Sequence, residues 1–251
     1  MTAGATALGS IPIVGAAGRA DKSFKKKIQA SHRRLENGAS LKEREEFLKN
    51  QGIGFDKSQH VYDVPSNDGG IGTMSYQDND LDISCYLWHN CPKGEYYAEL
   101  IWTYNWEWDD SGQKPNDRVG IGYENQWWDF ESYNVSETTE TSTYVTPNEN
   151  EFGDGPSFEV DDYYIGWDGA ENDQHWAGVY LEPVGNYTSD ERRIQGGYSH
   201  IWNNVSIDSV SIGYPWGVSV SVSDSRYEWR TTTDDSGNLL RVRQEDSNYC
   251  S

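Results

Sequence analysis

The sequence predicts an all-β fold, an antiparallel β-sandwich or jelly roll, preceded by a short α-helical N-terminal segment. Three observations carry this. Hydrophobic periodicity switches to two after about residue 58. Gly-, Asp- and Asn-rich turns separate many short β-prone runs. Eleven Trp and 17 Tyr among 251 residues supply the core bulk that a modest aliphatic content does not, each removing roughly 150–250 Å² from water when buried.

Residues 2–18, TAGATALGSIPIVGAAG, are small and apolar, and small residues continue to Ala20. This is the composition of a signal-peptide hydrophobic segment, with an Ala-rich cleavage zone near Ala16–Ala20. The segment resembles the second half of the twin-arginine export signals common in haloarchaeal secreted proteins. There an Arg-Arg-x-Phe-Leu-Lys motif comes first, and that arginine pair does not occur here. The resemblance implies an exported protein, extracellular or held at the cell surface. No other run approaches the ~20 apolar residues of a membrane-spanning helix.

Residues 22–36 are basic and predict one helix. A second is better marked, because Ser40 and Glu43 form a capping box and Gly52 is placed to end it. Leu41, Phe47 and Leu48 give it an apolar stripe, and Glu45–Lys49 is an i,i+4 pair on its polar side. The Lys25–Lys27 run is expected to be a solvated face or to dock on the acidic remainder. A membrane or nucleic-acid patch is the alternative. The chain thus divides into a signal remnant (1–20), a basic helical segment (21–57) and an acidic β domain (58–251).

The clearest strand runs from Glu95 to Trp108. Tyr96, Ala98, Leu100, Trp102, Tyr104, Trp106 and Trp108 alternate with Tyr97, Glu99, Ile101, Thr103, Asn105 and Glu107, predicting one dry face and one mixed face. Its length predicts a bend or bulge. Trp216, Val218, Val220 and Val222 alternate with glycine and serines, as in a half-solvated strand. Further strands are expected near 58–64, 71–76, 80–89, 119–123, 140–145, 158–166, 175–182, 198–207, 226–233 and 239–244. Asp234–Asn238 is a strong turn signal joining the last two as a hairpin.

Charge is split along the chain. Residues 1–57 hold 11 basic and 6 acidic side chains, a net of +5, whereas residues 58–251 hold 9 and 35, a net of −26. Such excess repels itself at low ionic strength, and ~1 M salt shortens the screening length to roughly 3 Å. The expected environment is strong brine. Nucleic acid is excluded as a partner of the acidic part, because phosphate binding needs clustered cations.

Cys85 and Cys91 bracket a short predicted hairpin, and a disulfide between them fits an exported protein. Zinc with His89 as a third ligand is the rival reading, and Cys250 is left over or displaces one partner. Asn134, Asn186 and Asn204 head glycosylation sequons.

No nucleophile elbow, zincin motif or phosphate loop is present, and the five histidines do not pair at ligand spacings. The acidic loops offer weak Ca²⁺ candidates in Asp109, Asp110, Asp154, Asp168 and Asp173; no other cofactor is expected. Trp127 and Trp128 lie in an acidic segment, and Trp167 and Trp176 flank another. Rings beside carboxylates and amides suit sugar binding, and equally suit a sandwich core.

Three functional expectations follow. The first is a non-catalytic secreted sandwich that binds a glycan or a cell-surface partner. The second is a glycoside hydrolase using Glu99, Glu107 or Glu124 as paired carboxylates in an aromatic cleft. The third is a secreted antimicrobial of the halocin type, or a virion surface protein.

Overall fold

The computed structural model describes residues 20–66, 75–104, 115–136, 145–148, 155–161, 173–185, 192–213, 217–231 and 240–244. Among the described residues two α-helices, α1 (Lys22–Glu36) and α2 (Leu41–Lys49), precede thirteen strands. These are β1 (Ile53–Ser66), β2 (Ser75–Asn90), β3 (Glu95–Tyr104), β4 (Asp117–Gly122), β5 (Trp128–Val135), β6 (Val145–Asn148) and β7 (Ser157–Val160). They continue with β8 (Asp173–Pro183), β9 (Arg193–Ile201), β10 (Ile207–Gly213), β11 (Gly217–Val222), β12 (Glu228–Arg230) and β13 (Arg241–Arg243).

The pairing is antiparallel throughout. A five-stranded sheet has the order β1-β2-β3-β8-β5, and a second has the order β12-β9-β4-β7-β6 with β13 also on β9. After the β1–β2–β3 meander the chain shuttles between the two sheets, which is what makes a sandwich of them. Their facing sides share one core. From the first sheet come Leu81, Ile83, Cys85, Leu87, Tyr96, Leu100 and Trp102; from the second come Val119, Ile121, Phe158, Ile194 and Tyr198. At ~25 cal/mol/Å², burying each large aromatic contributes several kcal/mol before entropy.

The expected mixed, half-wet face of β3 is instead buried, because α1 and α2 lie across it. Phe24, Ile28, Leu35 and Leu48 from the helices pack on Phe55, Tyr86, Trp88, Tyr97, Ile101, Trp176 and Tyr180. In α1 the buried positions Phe24, Ile28, Ser31 and Leu35 recur every three to four residues, the spacing of one helical face. Lys22, Lys26 and Arg33 are exposed on the opposite side. The basic segment is therefore the outermost layer of the β unit rather than a separate body, and β1 begins within it at Ile53.

Both helices end where their caps dictate. Asp21 accepts from the Ser23 and Phe24 amides at the start of α1, and Ser40 and Glu43 form the expected capping box at α2. Gly52, at φ +74°, turns the chain into β1. Glu45 does not pair with Lys49. Its carboxylate meets Lys57 at 3.2 Å and accepts from the Tyr86 hydroxyl at 2.8 Å, while Lys49 sits 4.8 Å from the Phe55 ring centroid.

The outer side of the second sheet is covered by the β10–β11 hairpin, with Ile201, Val218 and Val220 buried between them. Close approach is possible because Gly120 has no side chain. A Cβ there would stand 2.8 Å from Val218 and 2.9 Å from Ile212. β5 and β10 were not among the expected strands; of the strand expected at 71–76, residues 75 and 76 belong to the same strand as 80–89, and residues 71–74 lie outside the described residues. β12 and β13 do not form a hairpin; both pair with β9, opposite residues 199–201 and 193–195 respectively, and so lie end to end. Register shifts fall at Tyr62/Val64, Phe130/Ser132 and Ile207/Ser209; β3 beyond Tyr104 lies outside the described residues.

The proposed Cys85–Cys91 disulfide is not formed: Cys85 is a free, buried thiol. It belongs to the inner face of β2, inside the sandwich core, whereas Cys91 lies in the turn beyond the strand end. Cys250 and residues 1–19 lie outside the described residues. No described helix is long and apolar enough to cross a membrane.

Candidate functional site

The densest polar constellation lies between the helices and the first sheet. β3 places Glu99 on its outer face, where it is wholly buried. Arg44 of α2 brings Nη1 within 2.7 Å of Glu99 Oε2. The Trp88 indole N–H donates to the same carboxylate oxygen at 3.0 Å, and His32 Nε2 of α1 contacts Oε1. Asn134 of β5 meets His32 Nδ1 at 3.1 Å. With the Asn134 amide as donor there, the imidazole is neutral and Nε2–H points at Glu99. Arg44 Nε also donates to Ser31 Oγ at 2.9 Å. Two helices and two strands thus meet at one carboxylate, with β5 joined to it through His32.

Burial alone would push the Glu99 carboxyl up, but Arg44 and His32 outweigh it and hold it well below the usual range. Burial lowers the His32 pKa and Arg44 lowers it further, against the pull of Glu99. The cluster is therefore one cation, one anion and one neutral ring. At its rim, Lys25 pairs with Glu131 at 2.9 Å and Lys93 contacts Asp21. Docking on the acidic part, one of the readings of the Lys25–Lys27 run, describes Lys25, whose Nζ also lies 4.8 Å from the Tyr180 ring centroid. Lys26 is exposed.

A second polar chain runs inside the sandwich. Trp102 Nε1 donates to Tyr104 Oη at 3.2 Å, and Tyr104 and Tyr198 share a bond of 2.5 Å. Tyr198 donates to Asp117 at 2.5 Å, and Asp117 is 3.0 Å from His200 Nδ1 and accepts from the Ile201 amide. All these side chains are buried, so the chain ties β3, β4 and β9 together. Nothing in the sequence pairs these residues, which are up to 98 positions apart.

Of the residues expected to act, Glu99 is committed to Arg44 and His32 beneath two helices, which removes it as a hydrolase acid or base. Glu107 lies outside the described residues. Glu124, partly exposed, sits on the β4–β5 turn. Trp128 and Trp176 are core residues, 1% and 4% exposed, and Trp128 Nε1 donates to the Arg193 carbonyl; neither is a platform for a sugar. Trp167 lies outside the described residues. Trp127 is half-buried at the outer edge of the core, its amide bonded to the Glu124 carbonyl at 2.8 Å. Its chain neighbours are partly exposed Glu124, exposed Asn125 and Gln126, and, beyond Trp128, exposed Asp129.

Among the Ca²⁺ candidates, Asp109, Asp110, Asp154 and Asp168 lie outside the described residues, and Asp173 opens β8 opposite Tyr104. No metal-binding group of acidic, His or Cys residues forms among the described residues. His89, the zinc alternative, is buried and stacked on Tyr96 at 4.4 Å between ring centroids. Of the sequons, Asn134 is occupied with His32, Asn186 lies outside the described residues, and Asn204 is exposed in a left-handed turn at φ +55°.

The sequence matches no protein-family model, and no curated protein is similar to it. Among solved structures it is similar to a Fap1 fimbrial protein of Streptococcus parasanguinis, at 9% identity and a TM-score of 0.29. That match covers 78% of this chain and 98% of the other. It is also similar to the RrgB pilus protein of Streptococcus pneumoniae, at 7% identity and a TM-score of 0.26. There 76% of this chain matches 36% of the other, so the chain spans about a third of that protein.

Proposed function

We propose that the chain is an exported, brine-adapted β-sandwich of the cell surface or medium that binds a glycan or surface partner without catalysing a reaction. The observation that carries this is the commitment of Glu99. One of the three carboxylates expected to serve hydrolysis is neutralised by Arg44, bonded by Trp88 and roofed by two helices. A glycosidase needs two carboxylates roughly 5–10 Å apart across an open groove, and Glu99 faces no groove. The net of −26 over residues 58–251 supports the brine habitat.

Among the described tryptophans expected to bind, the role falls to Trp127 on the β4–β5 turn, whose half-buried ring has Glu124, Asn125, Gln126 and Asp129 as chain neighbours. An aromatic face flanked by carboxylates and amides offers CH–π contact and hydrogen bonds to a sugar ring. Trp127→Ala, assayed on a polysaccharide array in high salt, is expected to abolish retention with near-UV circular dichroism unchanged. Unchanged retention removes the Trp127 site. Release of reducing sugar by the wild-type chain overturns the non-catalytic reading.

A further inference from the structure

We propose that the α1–α2 layer is an acid-released cover, latched on the first sheet through His32. The proposal stands on the geometry of the buried cluster and is independent of the Trp127 site. At neutral pH one guanidinium faces one carboxylate and the imidazole adds no charge. A proton on His32 can enter only at Nδ1, where the Asn134 amide now points its own hydrogens. The new imidazolium then lies beside Arg44, whose Nη2 is 3.1 Å from His32 Nε2. Two buried cations would share the single carboxylate of Glu99.

The remaining groups around the ring give little relief. From β8, Trp176 stacks on it at 4.7 Å, and from β3 the Tyr97 ring stands 6.0 Å away. Trp88 of β2 is already spent on Glu99. Of the nearby acids, Glu45 is engaged with Lys57 and Tyr86, and Glu131 with Lys25. A buried cation without its own counter-charge costs several kcal/mol. The layer has an exit, because among the described residues its chain connection to the sandwich is Asn50, Gln51 and Gly52, all exposed. Its seat is also incompletely matched: Trp176 Nε1 and Tyr180 Oη are buried in this interface with no hydrogen-bond partner. Both gain water when the layer lifts.

The sign follows from burial. The folded His32 pKa lies below its ordinary 6.5, so the docking it favours is complete above about that pH and weakens as pH falls. Glu99 adds a second loss only at lower pH, below the ordinary carboxylate value. The other buried histidines, His89, His175 and His200, lie in the sandwich and report on that part separately.

The test is hydrogen exchange read by mass spectrometry on the full chain at constant high salt, between about pH 7.5 and about pH 5. After correction for intrinsic rates, α1 and α2 amides are expected to exchange at least ~10-fold faster at the acid end, while β2, β3 and β8 keep their protection. His32→Gln, which keeps a hydrogen-bonding group and cannot be protonated there, is expected to flatten that profile. Unchanged helix protection overturns the proposal, as does simultaneous loss across both sheets. A His32→Gln profile with the wild-type midpoint also overturns it. Should His32→Gln fail to fold, the His32 ring resonances of the wild-type chain decide. Their titration must coincide with helix release, and protonation while the helices remain protected overturns the latch.

Discussion

Arg44 Nη1 and Glu99 Oε2 lie 2.7 Å apart, with the two side chains 1% and 0% exposed. The first residue comes from the basic segment and the second from the central β3 strand, so this pair ties the helical layer to the middle of the sheet. Its energetics are asymmetric, because water cannot reach a charge left behind. Arg44→Met is expected to destabilise the fold by about 3–5 kcal/mol, whereas the Arg44→Met/Glu99→Leu double substitution should recover most of that loss. Denaturant unfolding of the three variants in one salt buffer measures this coupling. Strictly additive losses would contradict it.

His175 predicts a separate acid response in the sandwich. Burial pushes its pKa down to about 4, so stability is complete above the unfolded value near 6.5 and falls as pH drops through about 4. The slope approaches ~1.4 kcal/mol per pH unit inside that window. His175→Phe should flatten the melting-temperature profile over this range in scanning calorimetry.

The two adjacent tryptophans separate binding from folding. Trp128→Ala removes a ring that is 1% exposed and should cost about 3–5 kcal/mol. Trp127→Ala should cost well under half of that. Urea midpoints for both, set beside their polysaccharide retention, distinguish the roles. Equal destabilisation would place Trp127 in the core as well.

Gly178→Ala tests the packing of the covered face. A Cβ at Gly178 would stand 2.2 Å from the Tyr97 hydroxyl and 2.8 Å from the Ala98 carbonyl, and Tyr97 is itself wholly buried. The clash should cost roughly 1–3 kcal/mol. It should also loosen the helices before the second sheet, visible as selective loss of α1 amide protection.

Salt removal tests the electrostatic premise. Thirty-five acidic against nine basic side chains in residues 58–251 should drive unfolding as the screening length grows to ~30 Å near 0.01 M. Dialysis into dilute buffer, followed by near-UV circular dichroism, should show loss of the aromatic signal. An unchanged melting temperature would sink the brine reading.

Much of this architecture was legible because it depends on local pattern. Alternation marked β3 and β11, and Ser40 with Glu43 marked the start of α2 to the residue. β5 was missed because Asp129, Glu131, Ser132 and Asn134 interrupt its apolar alternation. Three of these polar residues meet the helical layer: Glu131 holds Lys25 and accepts from the Ala20 amide, Ser132 accepts from Lys25, and Asn134 meets His32. Glu99 looked catalytic for the same reason, since an acid amid aromatics has one sequence signature whether it faces a cleft or a buried arginine. The cover over β3 is a tertiary contact between segments more than fifty residues apart, and no local period reports it.

The exposed stripe of Lys22, Lys26 and Arg33, on the outermost layer of an otherwise carboxylate-rich body, makes the molecule electrically lopsided. It should behave as a permanent dipole whose positive pole is the helix side. Brought near a negatively charged support in moderate salt, it should settle with that pole down, leaving the opposite end free. Immobilised copies would then stand in one common orientation, set by three side chains that play no part in holding the fold together.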